Sequence, residues 1–300
     1  MRVAAQNVDS VGLEATIAAI PGTVAVYARL MNGKPAAIAI RADEPFPSAS
    51  IIKLAIMLTA YRGYERGSWT PDAPVTVHAS DLIGGSDALA GTPAGAQVPM
   101  QSLVKAMITV SDNSASNALI SYFGFGQIEA EIVRAGMTHT RLARHFADTV
   151  PSWRKNLNTT TAGDMGRLLY AIERGAREGL TTVASSASCR AMIDVMLGNT
   201  DTSKIVHGLP SSVHVAHKTG ELSAVRHDVG IVAPYGDVPF VLAVLTSDDA
   251  DTNAADAGIG RIAARVFAAF KAASSIALAR AAIVTPPPAT PCIRYDGRCE

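Results

Sequence analysis

Strand-forming segments lie at both ends of this chain and helix-forming segments fill its middle, and that order limits the fold more than any other feature. Residues 23–30 alternate loosely and are rich in β-formers. Met31-Asn32-Gly33-Lys34 follows, and Asn-Gly is the strongest two-residue hairpin signal, so residues 36–41 read as the returning strand. Near the other end, residues 229–233 and 240–246 are strand-like around the turn-forming Pro-Tyr-Gly-Asp, and an Ala-rich helix is expected over 253–273. Between these ends, residues 50–64, 100–110, 114–122, 126–135, 162–174 and 188–197 carry helical periodicity. The pattern predicts an α+β fold in which the terminal strands pair into one antiparallel sheet and a helical subdomain is inserted between them.

The chain is long enough for that plan: 300 residues, 48% hydrophobic, fill one large domain or two closely packed subdomains. The formal net charge is zero, so no basic stripe recruits nucleic acid and no polybasic segment suits an anionic membrane. No apolar run approaches the ~18 residues of a membrane span. The opening Met-Arg-Val-Ala-Ala-Gln lacks the apolar core of a signal peptide as written, so either the chain acts in the cytoplasm or a leader lies outside it. Three cysteines, Cys189, Cys292 and Cys299, form no Cys-x-x-Cys pair, and no His cluster accompanies them, so no metal and no cofactor is implied. Cys292 and Cys299 bracket an Asp-Gly turn and either close a small disulfide loop or remain free thiols on a Pro-rich tail that starts near Pro286-Pro287-Pro288.

Three short motifs carry chemistry. In Phe-Pro-Ser-Ala-Ser-Ile-Ile-Lys, Ser50 begins a helix and Lys53 follows one turn later on the same side. That helix is apolar nearly all round, hence buried. Desolvation lowers the pKa of a buried lysine, and a neutral amine beside a hydroxyl is a general base. The helix N-terminus also offers the Ser50 N–H to a developing oxyanion. Chance alone also produces Ser-x-x-Lys. Ser111-Asp112-Asn113 lies on a short connector between two amphipathic segments, where it can donate into a cleft or simply cap the next helix. Lys218-Thr219-Gly220 is expected on an inner strand, its glycine admitting a close ligand and its lysine, with Arg226, suiting a carboxylate; the alternative is an edge strand defended by charge.

In this order and spacing, Ser-x-x-Lys, Ser-Asp-Asn and Lys-Thr-Gly form the signature of penicillin-recognising enzymes. The chain resembles class A β-lactamases and related low-molecular-mass penicillin-binding proteins over about residues 10–273. The resemblance implies a β-lactamase/transpeptidase-like fold, with an α/β part over 10–46 and 211–273, a helical part over 47–210, and residues 274–300 as a tail. It implies Ser50 as the acylated serine, Lys53 as its base and Ser111 as the proton shuttle to the leaving nitrogen. Asn113 is expected on the substrate side-chain amide, and Lys218, Thr219 and Gly220, with Arg226, around its carboxylate. The N–H groups of Ser50 and Glu221 are expected to form the oxyanion hole, with Asp112 and Asn117 structural.

Two departures stand out. Class A β-lactamases carry a water-activating glutamate two residues after the arginine of Thr-Arg-Leu-x-Arg; here that position is Phe146, and the nearest carboxylate is Asp148, the candidate deacylation base, with His145 adjacent. Glu221 replaces a small residue after Lys-Thr-Gly. Three functions follow from the resemblance: a slow β-lactamase, a D-alanyl-D-alanine carboxypeptidase, or a non-enzymatic β-lactam sensor. The partner expected is a small β-lactam or a D-Ala-D-Ala peptide. The protein is expected to be a monomer acting in the periplasm or outside the cell.

Overall fold

The computed structural model describes residues 10–31, 37–84, 88–146, 157–179, 183–236 and 238–284. The chain enters through α1 (Ser10–Ala18), which sequence periodicity does not announce because its apolar residues share no single stripe. β1 (Thr23–Leu30) and β2 (Ala37–Ile40) pair antiparallel, as the Asn-Gly signal implies; the turn itself lies outside the described residues. β3 (Phe46–Pro47) leads into a 3-10 turn over Ala49–Ile52 and then α2 (Lys53–Arg66). Ser50 thus sits in the tight turn rather than in the α-helix expected from residue 50. Just ahead of it Ala49 has φ 43°, a left-handed backbone that an α-helix cannot contain, so no α-helix reaches back past Ser50. α2 ends at Gly67, whose φ of 68° makes the left-handed cap that glycine supplies without steric cost.

β4 (Pro74–Thr76) and β5 (Gln97–Pro99) form a small ribbon, followed by α3 (Met100–Thr109), α4 (Asn113–Phe123) and α5 (Phe125–Arg134). β6 (Thr159–Thr160) pairs with β3 and precedes α6 (Ala162–Glu178) and α7 (Ser186–Leu197). The chain then returns through β7 (Val215–Leu222), β8 (Val225–Val232) and β9 (Phe240–Ser247) to α8 (Thr252–Val284). The main sheet has the order β2-β1-β9-β8-β7, antiparallel throughout, so the first and last strands do pair.

Three expectations change. β7, which carries Lys-Thr-Gly, is the edge of the sheet rather than an inner strand, because among the described residues nothing pairs beyond it. β8 begins at Val225, four residues before the apolar run that marks it in the sequence; its first half carries the polar Arg226, His227 and Asp228 and so hides the strand from an apolar-run reading. α8 runs on to Val284, past the boundary at 273. Cys292, Cys299 and Pro286-Pro287-Pro288 lie outside the described residues.

Each face of the sheet buries a core. One joins α2, α3, α4, α6 and α7 to the sheet through residues such as Met57, Ile108, Met165, Val229 and Leu245. The other joins α1 and α8 to the opposite face through Leu13, Val26, Leu242, Ile259 and Phe270. Among the described residues no helix is long and apolar enough to cross a membrane.

Candidate active site

Ser50 is placed by what surrounds its turn. Gly220 on β7 lies directly against it: a Cβ at 220 would stand 3.1 Å from the Ser50 nitrogen and 3.2 Å from both Ala49 Cβ and Ile51 Cγ2. The edge strand and the Ser50 backbone therefore approach as closely as they do because residue 220 has no side chain.

Lys53, one turn on, is fully buried, and its Nζ donates to three atoms of the Ser-Asp-Asn connector: Ser111 O at 2.7 Å, Asn113 Oδ1 at 2.8 Å and Ser111 Oγ at 3.1 Å. Burial, and secondarily the charge of Lys218, hold its pKa well below the usual lysine value against the opposing pull of Asp112. The three partners suit a neutral amine as well as a cation. Ser111 O and Asn113 Oδ1 accept only and take the two N–H groups, whereas the Ser111 hydroxyl can turn and donate to the lone pair.

The connector is shaped for this contact. Ser111 has φ 57°, a strained backbone for a residue with a Cβ, and such strain of ~1–3 kcal/mol persists only where neighbours enforce it. Asp112 enforces it, capping α4 through Ala115 N at 2.8 Å and holding Ala88 N and Leu89 N with its other oxygen. This matches the structural role expected for it.

Phe146 covers the other side of Lys53: its ring centroid lies 4.5 Å from Nζ. Its backbone is gripped at both ends by Asn117, which accepts from Phe146 N at 2.8 Å and donates to Phe146 O at 3.3 Å. Asn158 fixes the preceding residues, accepting from Ala143 N and Arg144 N and donating to Arg144 O. Two asparagine amides thus act as backbone mimics that set the path of this loop. Asp148 lies outside the described residues.

Two cavities, of about 590 and 290 Å³, meet at Ser50 and Glu221. The larger is lined by Asn113, Phe146, Asn158 and Leu222 among others; the smaller by Ser111, Thr219, Gly220 and Asp201. Lys218 is buried behind this wall with Nζ on Thr219 O at 2.8 Å, and burial pushes its pKa down to about 8.

Arg226 departs from the expectation. Strand alternation points His227 and Val229 toward the helical half, which leaves Arg226 and Asp228 facing α8. Its guanidinium donates to Leu222 O at 2.7 Å and Val225 O at 2.9 Å and lies 3.6 Å from Asp256 on α8, so it lines neither cavity. Glu221, its register partner, reaches the same side, where the buried Lys204 holds it at 2.6 Å together with Asp201 at 3.0 Å. Lys204 was not singled out by sequence reasoning; a lysine within a polar loop gives no sign that it will be fully buried.

A serine in a tight turn, a buried amine, a second serine and an edge strand with a closely approached glycine, in this fold, have counterparts among known proteins. A family model described as the beta-lactamase enzyme family matches residues 10–270. The chain belongs to the β-lactamase enzyme family. It is a class A-like serine hydrolase of that family. A curated β-lactamase from Streptomyces albus G is 30% identical over 79% of this chain and 76% of its own length. The crystal structure of a β-lactamase from Sphaerobacter thermophilus is 27% identical, with a TM-score of 0.78 over 88% of this chain and 98% of that one. The solved structure of PBP-A shares the fold at 22% identity, with a TM-score of 0.78 over 90% of this chain and 100% of that one.

Proposed function

We propose that this β-lactamase-family enzyme acylates readily on Ser50 and deacylates slowly. In the first half-reaction Ser50 Oγ attacks the lactam carbonyl carbon and its proton passes to Lys53. The tetrahedral oxyanion is held by the N–H groups of Ser50 and Glu221. The C–N bond then breaks, and the leaving nitrogen takes its proton from the Ser111 hydroxyl, which Lys53 resupplies. The hydrogen bonds from Lys53 to Ser111 and Asn113 and the lowered lysine pKa support these roles. Thr219, with Lys218 behind it, suits the substrate carboxylate.

The observation that carries the slow second step is the Phe146 ring centroid 4.5 Å from Lys53 Nζ. A phenyl face accepts no proton and excludes water where a base would hold it. Loss of one general base is worth ~10²–10⁴ in rate. The same observation favours a second reading, a D-alanyl-D-alanine carboxypeptidase, which shares the acylation step but turns over peptides.

Steady-state hydrolysis of a chromogenic cephalosporin by the wild type, Phe146→Glu and Asp148→Asn tests this. Slow wild-type turnover with a gain of tenfold or more in Phe146→Glu is expected. Rapid wild-type turnover that collapses in Asp148→Asn would make Asp148 the base instead.

A further inference from the structure

His227 stands opposite Gly220 in the β7–β8 register, on the face of the sheet that receives the nucleophile's turn. It is fully buried, with its ring edge-on to Phe46. Nε2 lies 2.7 Å from the carbonyl oxygen of Pro47, three residues before Ser50. Nδ1 lies 3.1 Å from Thr246 N on β9 and 2.8 Å from Arg226 O.

One proton on the ring has to serve these contacts, since burial holds the imidazole neutral, its pKa pushed down to about 4. With the proton on Nδ1, the Nε2 lone pair would face the Pro47 oxygen, and the Thr246 N–H would face another N–H. With the proton on Nε2, the ring donates to Pro47 and accepts from Thr246, and only the Arg226 oxygen is left facing a lone pair. The contacts therefore favour the second tautomer, the more so because Arg226 O already accepts from the Thr246 hydroxyl. That tautomer makes His227 a rigid bridge from the backbone of β9 to the segment that carries Ser50. From the other side, Ser48 N donates to Asn158 O at 2.8 Å, so the two bonds clamp Pro47 and Ser48 just ahead of the left-handed Ala49.

We propose that His227 is a positioning residue for acylation: its Nε2–H bond to Pro47 fixes the turn that sets Ser50 Oγ and N–H against the edge strand. This rests on Ser50 being the acylated serine. A misplacement of about 1 Å costs as much as ~10²-fold in rate, so the effect belongs to the chemical step rather than to substrate binding.

Three substitutions separate the ring's two bonds. His227→Gln keeps a donor that reaches Pro47; His227→Asn keeps only an acceptor near Thr246; His227→Leu keeps neither. The measurement is the time course of benzylpenicillin adduct formation by rapid-quench intact-mass spectrometry over a range of concentrations, which yields the pre-covalent dissociation constant and the acylation rate constant separately. Ser50→Ala is the control. The proposal predicts acylation slowed tenfold or more in Asn and Leu, within about threefold of wild type in Gln, and pre-covalent binding unchanged in all three. If Asn or Leu does not fold, Gln still decides. A Gln variant that folds but acylates as slowly as a variant without the bond, or Asn and Leu variants that acylate at the wild-type rate, overturns it. Failure of the wild type itself to acylate at Ser50 would instead overturn the catalytic reading.

Discussion

In the proposed mechanism Lys53 is the residue on which the chemistry turns. Its side chain is enclosed by Ser111, Asn113 and the Phe146 ring, and burial favours its neutral form. Lys53→Ala should slow acylation by ~10²–10⁴, the usual worth of a positioned base, while leaving Ser50 labelling detectable at long times. The acylation rate of the wild type should rise with pH as Lys53 loses its proton, and level off at lower pH than an ordinary lysine allows, since its pKa is depressed. A rate that is flat while Lys53 titrates, or unchanged in Lys53→Ala, would remove it from the mechanism. That Ser50, Lys53 and Ser111 come together was legible in the sequence from three motifs in fixed order and spacing. The identity of Phe146 was legible too, but its seat over the Lys53 amine was not, because Asn117 and Asn158 set that loop from distant elements. Arg226 was misplaced for a different reason. Which side a strand residue faces depends on register, and the register of β7 with β8 follows from where the turn at residues 223–224 falls.

Among the elements, β7 matters most to the site. As the edge strand it leaves one side unpaired along the cleft, and Gly220 lets it come against the turn of Ser50. The sequence supplied the glycine and a reason for it, yet could not say that β7 was an edge, since its residues are as buried as those of an inner strand up to Gly220. Gly220→Ala places a methyl group 3.1 Å from the Ser50 nitrogen, closer than the turn accepts without shifting. Acylation should fall by ~10–100-fold with the protein still folded, read from the adduct time course beside a thermal melt. An alanine variant that acylates normally would show that the turn and strand are not held in register with each other. The α1 helix, silent in the sequence, completes the second core beneath α8 rather than the site.

At the scale of the molecule, the terminal strands and the C-terminal helix form one body whose two faces carry separate cores. The family match ends at residue 270, whereas α8 continues through the buried Ser274 to Val284. Removal of residues 285–300 should leave cephalosporin turnover and melting temperature unchanged. Truncation after 273 should lower the melting temperature by several degrees, since it cuts the helix inside its packed length. Equal stability of the two truncations would show that α8 past 273 contributes nothing. The overall architecture was legible because strand and helix segments separate cleanly along the chain. The end of α8 was not, because an Ala-rich stretch offers helix propensity without a stop signal before the prolines.

The direct test of the whole account is the lifetime of the penicilloyl-enzyme on Ser50, followed by intact-mass spectrometry after a single addition of benzylpenicillin to the wild type and to Phe146→Glu. The account predicts rapid gain of one penicillin mass on the peptide containing Ser50, slow loss in the wild type, and loss at least tenfold faster in Phe146→Glu. A wild-type adduct that clears as fast as that of Phe146→Glu, or a label found on any other residue, would contradict it.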